Sequence, residues 1–127
     1  MTDRLRVSSG SPYEGWIGFC RAVRAGDRVL VSGTGPIEPN GSCAETAGAQ
    51  AGRCLDIIVG ALAEAGAAVQ HVVRTRMYVT HRGHIEAVGR AHAEVFADVR
   101  PASTIVVVAG LADPRWKVEI EAEAVLL

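Results

Sequence analysis

The sequence predicts one α+β domain over residues 1–127, a mixed sheet with two helices on one of its faces. Three observations lead there. Two segments carry apolar residues at helical spacing. Several others alternate apolar and polar residues in the manner of half-buried strands. Their order is strand, strand, helix, strand, helix, strand, strand, which lets both helices cover the same side of one sheet. A chain of 127 residues is long enough to enclose one sizeable core.

A short, weak strand is expected over 4–8. Residues 19–24 and 27–33 flank Gly26-Asp27 and read as a hairpin. The strongest helix covers 45–65, where Ala47, Ala51, Cys54, Leu55, Ile58, Ala61, Leu62 and Ala65 form one apolar stripe. Ser42-Cys-Ala-Glu45 has capping-box spacing, and Gly66 is a natural stop. A strand follows over 71–80. A second helix covers 84–97, with Ile85, Val88, Val95 and Phe96 on one side, and Pro101 bars its extension. Strands over 103–109 and 117–126 complete the chain.

The sheet has two unlike faces. In 71–80, Val73, Thr75, Met77 and Val79 are expected on one face and Arg74, Arg76 and Tyr78 on the other. In 117–126, Val118, Ile120, Ala122 and Ala124 oppose Glu119, Glu121 and Glu123. With the apolar faces under the helices, the second face carries arginines, glutamates and a tyrosine. It is either a solvated face of cross-strand ion pairs, or a face met by other subunits with a polar cleft at the seam. Strand 103–109 favours the second reading. It is apolar on both faces from Ile105 to Val108 and needs cover on both.

Charge narrows the function classes. Thirteen Lys+Arg against 14 Asp+Glu give a net charge of −1, which excludes a generally basic nucleic-acid binder but not a local patch. No apolar run reaches bilayer length, and Met1-Thr-Asp-Arg-Leu-Arg6 has no signal-peptide apolar region, so no membrane partner is expected. Cys20, Cys43 and Cys54, with no C-x-x-C, read as reduced thiols in a cytoplasmic protein.

No metal and no cofactor are expected. His81-Arg-Gly-His84 lacks further converging ligands, and His92 reads as a packed side chain. Pro36 and Glu38 spoil Gly33-Thr-Gly35 as a dinucleotide loop. Asp3, Asp27 and Asp56 form no visible triad with a serine and a histidine.

Four segments together carry a family resemblance. Ala22-Val-Arg-Ala-Gly-Asp-Arg-Val-Leu-Val-Ser-Gly33 resembles the N-terminal hairpin of the RidA family, also called YjgF/YER057c/UK114. The stretch from Val72 to Val79, Arg100-Pro-Ala102 and Val118-Glu-Ile-Glu-Ala122 match in the same order and spacing, over roughly residues 17–126. The resemblance implies a chorismate-mutase-like α+β fold, a homotrimer with ligand clefts between subunits, and cofactor-free hydrolysis of enamines or imines such as 2-aminoacrylate.

In members with that activity an arginine directly follows the Pro-Ala element and clamps the substrate carboxylate, a task that suits the guanidinium fork. Here Ser103 follows Pro101-Ala102. Ile105 stands where a small cysteine is common, and Phe19 where a tyrosine is. Glu119 matches the water-positioning glutamate after a one-residue insertion near 112–116, and Ser32-Gly33 keeps the ligand-facing hairpin backbone. The resemblance therefore implies a catalytic Glu119, ligand contacts from Phe19, Ser32, Gly33, Ser103 and Ile105, and weak or absent 2-aminoacrylate deamination.

Arg76, on the non-helix face, is a candidate for the missing charge; its alternative is a cross-strand pair with Glu121 or Glu123. Arg21 and Arg90 are further candidates. Glu121 and Glu123 are expected to take the structural arginine pairs, leaving Glu119 in the cleft beside Ser103. The competing function is a non-catalytic trimer that binds a small molecule and regulates a partner. Some relatives are described as ribonucleases or translation inhibitors, but no aromatic-plus-basic stripe supports that here.

Overall fold

The β2–β3 hairpin anchors the architecture. In the computed structural model, which describes residues 4–127, Ala22–Ala25 (β2) and Arg28–Thr34 (β3) pair antiparallel around Gly26, whose φ of 64° places the turn in the left-handed region. Around it lie Arg4–Val7 (β1), Ala47–Glu64 (α1), Val72–Val79 (β4), Ile85–Phe96 (α2), Ala102–Val107 (β5) and Val118–Val125 (β6). The six strands form one sheet in the order β1-β2-β3-β6-β4-β5. Only β4 and β5 run parallel, joined by the α2 crossover. The sheet is therefore mixed, as the sequence predicts.

All eight residues of the α1 stripe are buried. The helix begins one residue after Thr46, whose hydroxyl accepts the Ala49 N–H at 3.2 Å. The Ser42–Glu45 box is not used: Cys43 lies in a short bridge to Ile37, which keeps that stretch extended. At the other end Gly66 has φ 84°, and Arg24 Nη1 donates to the Ala65 carbonyl at 2.8 Å, placing a cation on the helix C-terminus.

The core lies between the helices and one sheet face. Val29, Val31, Val79, Val118, Ile120, Ala122 and Ala124 face Leu55, Ile58, Leu62, Val88 and Phe96. Each large side chain so buried contributes about 1.5–3 kcal/mol relative to exposure. Among the described residues three polar side chains are buried here, Thr34, Gln50 and Thr75. Gln50 donates to the carbonyls of Ala44 (2.8 Å) and Arg115 (3.0 Å) and accepts the Lys117 N–H (2.7 Å), tying α1 to the start of β6.

One face assignment is corrected. Val73 is exposed and Val72 takes the core position, because the β4–β6 register shifts between Val72 and Arg74. The shift is a bulge that puts an extra residue on β4. From Thr75 to Val79 the predicted alternation holds. Among the described residues no helix is long and apolar enough to cross a membrane.

Candidate functional site

The uncovered sheet face holds an ion-pair ladder. The register sets Arg74 opposite Glu123, Arg76 opposite Glu121 and Tyr78 opposite Glu119. Glu123 takes Arg28 at 3.3 Å and Arg74 at 3.4 Å. Glu121 takes Arg76 at 3.7 Å and accepts a short hydrogen bond from the Tyr78 hydroxyl. Arg76 also approaches Glu123 at 4.0 Å. So Arg76 is committed to the ladder, and Glu121 and Glu123 hold the arginines. Arg76 and Ser32 do share a cavity of about 530 Å³ on this face. Arg90 pairs with Glu86 one helical turn away on the outside of α2.

Glu119 stands apart from the ladder. It is half-buried and, among the described residues, makes neither an ion pair nor a hydrogen bond. Burial pushes its carboxyl above the usual range; Arg21 pulls it down, and Glu121 pushes it up further. Its Oε2 lies against Gly33, so close that a Cβ there would be 2.2 Å away. Glycine is what admits the carboxylate to the hairpin backbone.

The backbone beside it is fixed. The Ser32 hydroxyl donates to the Cys20 carbonyl at 2.6 Å, and its N–H to the Arg21 carbonyl at 2.9 Å. Arg21 Nη1 donates to the Gly33 carbonyl (3.0 Å) and to Thr34 Oγ1 (2.9 Å). Phe19 is half-buried at the end of the short helical turn Glu14–Gly18. Arg21, a minor candidate from sequence, is thus the arginine that shares the Glu119 neighbourhood. It sits in a bend before β2, where no strand period points to it.

Ser103 and Ile105 go elsewhere. The parallel register sets Ser103 beside Thr75 and Ile105 beside Met77, both core-facing residues. Ser103 Oγ meets Thr75 Oγ1 at 2.8 Å, and the same Thr75 oxygen meets His92 Nε2 at 2.8 Å. Ile105 packs against the core. Within one chain Ser103 and Glu119 therefore lie on opposite sheet faces, so a cleft that holds both takes them from different copies of the chain. The β4–β5 register decides this, and an alternating pattern on one strand does not reveal it. His92 is half-buried, stacks on Phe96, and is pushed toward its neutral form by burial. His81 accepts the Gly83 N–H at the start of a short turn. No cluster of three metal-ligating side chains occurs among the described residues.

Fold and site together define a class: a small α+β domain with one uncovered sheet face and a free carboxylate set against a glycine of the hairpin backbone. The sequence profile described as Endoribonuclease L-PSP matches residues 14–126. An uncharacterised protein of Streptomyces coelicolor is 44% identical over 120 residues, covering 94% of this chain and 90% of its own length. The crystal structure of a Mycobacterium tuberculosis member of the YjgF/YER057c/UK114 family is 41% identical, with a TM-score of 0.89, over 97% of this chain and 99% of that one. Escherichia coli TdcF, solved with bound serine, is 23% identical and shares the fold at a TM-score of 0.81 over 94% of this chain and 92% of that one. The chain belongs to the endoribonuclease L-PSP family, the family also called YjgF/YER057c/UK114 or RidA.

Proposed function

We propose that this protein binds a small imine- or enamine-type metabolite at Glu119 and hydrolyses it without a cofactor, in clefts completed by other copies of the chain in a homotrimer. The observation that carries the reading is the half-buried Glu119 carboxylate, free of ion pairs and set against Gly33. A carboxyl held above its usual range serves as base and acid nearer neutrality than a solvated one. It would accept a proton from water as the water oxygen adds to the C=N carbon. The proton then passes to nitrogen to give a carbinolamine; the carboxylate takes the carbinolamine hydroxyl proton and delivers it to nitrogen as the C–N bond breaks, and ammonia and a carbonyl product leave.

The trimer is supported by β5. It is an edge strand, with Val106 40% and Val107 51% exposed beside an unpaired backbone edge. Light scattering at micromolar concentration is expected to give three chains; a stable monomer would overturn this part.

At position 103 a serine, hydrogen-bonded to Thr75, replaces a guanidinium. We therefore expect weak 2-aminoacrylate deamination. Losing a charge-assisted hydrogen bond costs about 1.5–3 kcal/mol, roughly ten- to hundred-fold in binding. The test is ammonia release from 2-aminoacrylate generated in situ and from a panel of neutral imines. Turnover of some imine that Glu119→Gln abolishes supports the reading. Ligand binding at Glu119 with no turnover of any imine favours a regulatory binding protein instead. Turnover unaffected by Glu119→Gln would contradict it.

A further inference from the structure

A second cavity, of about 630 Å³, shares Arg21 with the Glu119 neighbourhood. Its walls include Tyr13, Arg21, Ile37, Arg53, Ile57 and Trp116. Neither Glu119 nor Ser103 lines it. The volume falls within the range of small-molecule sites, about 300–1,000 Å³.

Its charges are unequally satisfied. Arg53 pairs with Glu38 at 3.3 Å, and Asp113 with Arg115 at 2.8 Å. Arg21 forms no ion pair among the described residues. Both side-chain hydrogen bonds that it donates among the described residues use Nη1. Its Nε is buried without a partner. A second buried donor without a partner, Trp116 Nε1, belongs to the same wall. Orphaned buried donors are uncommon and each calls for an acceptor. Nη1 is held by the hairpin, so the Nε–Nη2 edge of the fork is left over, and that edge matches the two oxygens of a carboxylate. Burial makes the guanidinium costly; the charges of Glu119 and Glu14 offset part of that cost without contact, and an anion in direct contact would relieve more of it.

The wall also carries the apolar and aromatic side chains of Tyr13, Ile37, Ile57 and Trp116, beside the polar Ser9 and Ser11. Trp116 packs on Gly35, where a Cβ would lie 2.5 Å from the ring, so its indole is held flat against the end of β3. The roof is the segment from Ser9 to Tyr13. Glu14 folds that segment by accepting the Ser9 N–H at 2.7 Å and bonds from the Ser8 and Ser9 hydroxyls.

We infer that this cavity binds a small monocarboxylate with a planar apolar body, its two oxygens on the Nε–Nη2 edge of Arg21 and its body against Trp116. The site is separate from the Glu119 chemistry proposed above, and the two meet only through Arg21.

The probe is phenylacetate, with phenylacetamide as its neutral counterpart, read by tryptophan fluorescence. The chain has two tryptophans, and Trp16 is 74% exposed and outside the cavity, so Trp16→Phe leaves Trp116 as the reporter. In that background phenylacetate is expected to change the emission saturably and phenylacetamide is not. Arg21→Gln should weaken binding about ten- to hundred-fold, and Arg21→Lys, which keeps the charge but not the fork, about tenfold. Glu119→Gln should leave binding intact or tighter while removing any imine turnover, which separates this site from the Glu119 reading. A crystal soaked with phenylacetate decides the matter even where the Arg21 variants fail to fold. Carboxylate density on the Nε–Nη2 edge supports the inference. No saturable response, equal affinity of phenylacetamide, undiminished binding by Arg21→Gln, or density away from Arg21 would overturn it.

Discussion

Gly33 and Glu119 touch across the β3–β6 seam: the glycine has no Cβ, and the space that a Cβ would fill is occupied by the glutamate carboxylate. Gly33 has ordinary negative-φ backbone, so alanine is conformationally allowed there. The group it would meet is the far end of a flexible side chain. We expect Gly33→Ala to rotate the carboxylate away at a cost of about 0.5–1.5 kcal/mol. The melting temperature should fall by a few degrees at most, while ligand binding or turnover falls tenfold or more. Calorimetric melting and a binding titration on the same sample check both halves.

Glu119 and Glu121 lie two residues apart on one face, yet their substitutions should act in opposite directions. Burial raises the Glu119 carboxyl above its ordinary value of 4.5, so the folded state favours the proton. Stability from this group is full below that value and is lost as pH rises through the folded one. Glu119→Gln should therefore match or exceed the wild-type melting temperature at pH 7, with the difference vanishing as pH falls below about 4.5. Glu121→Gln removes an acceptor from Tyr78 and a partner from Arg76, and should cost about 0.5–1.5 kcal/mol at pH 7. Thermal melts across pH read both effects.

The Thr75 hydroxyl links Ser103 to His92 inside the layer beneath α2. Thr75→Val keeps the shape and strands both partners, so a loss of about 1–3 kcal/mol is expected in urea unfolding. His92 has its proton affinity lowered by burial. Its neutral form then contributes stability that is full above the ordinary value of 6.5 and is lost as pH falls through the folded one. His92→Gln should flatten that acid-side loss, and an unchanged pH profile would count against it.

Much of this fold is legible because burial and alternation coincide. The α1 stripe and the β6 alternation each map residue by residue onto the core. Val73 departs because a bulge moves Val72 into its place, and nothing in that run of residues marks the extra one. Ser103 and Ile105 depart because a strand's facing in a parallel pair is set by the register after a helical crossover. Arg21 has little sequence signal, since it precedes β2 in a bend and is drawn in by the carbonyl of Gly33, twelve residues on. Glu119 was legible by family resemblance. What alternation alone supplies is three equivalent glutamates; only the cross-strand partners separate the free one from the two paired ones.

Glu119, set against Gly33, is the proposed place where a ligand reacts or rests. The most direct measurement is a crystal of the assembled protein soaked with acetone, the uncharged carbonyl product of a neutral imine. We expect density with the ligand carbonyl or an ordered water within hydrogen-bond reach of the Glu119 carboxylate and beside the Gly33 backbone, lost in Glu119→Gln crystals. Acetone seated elsewhere, or Glu119 turned into an ion pair with no ligand beside it, would overturn that assignment.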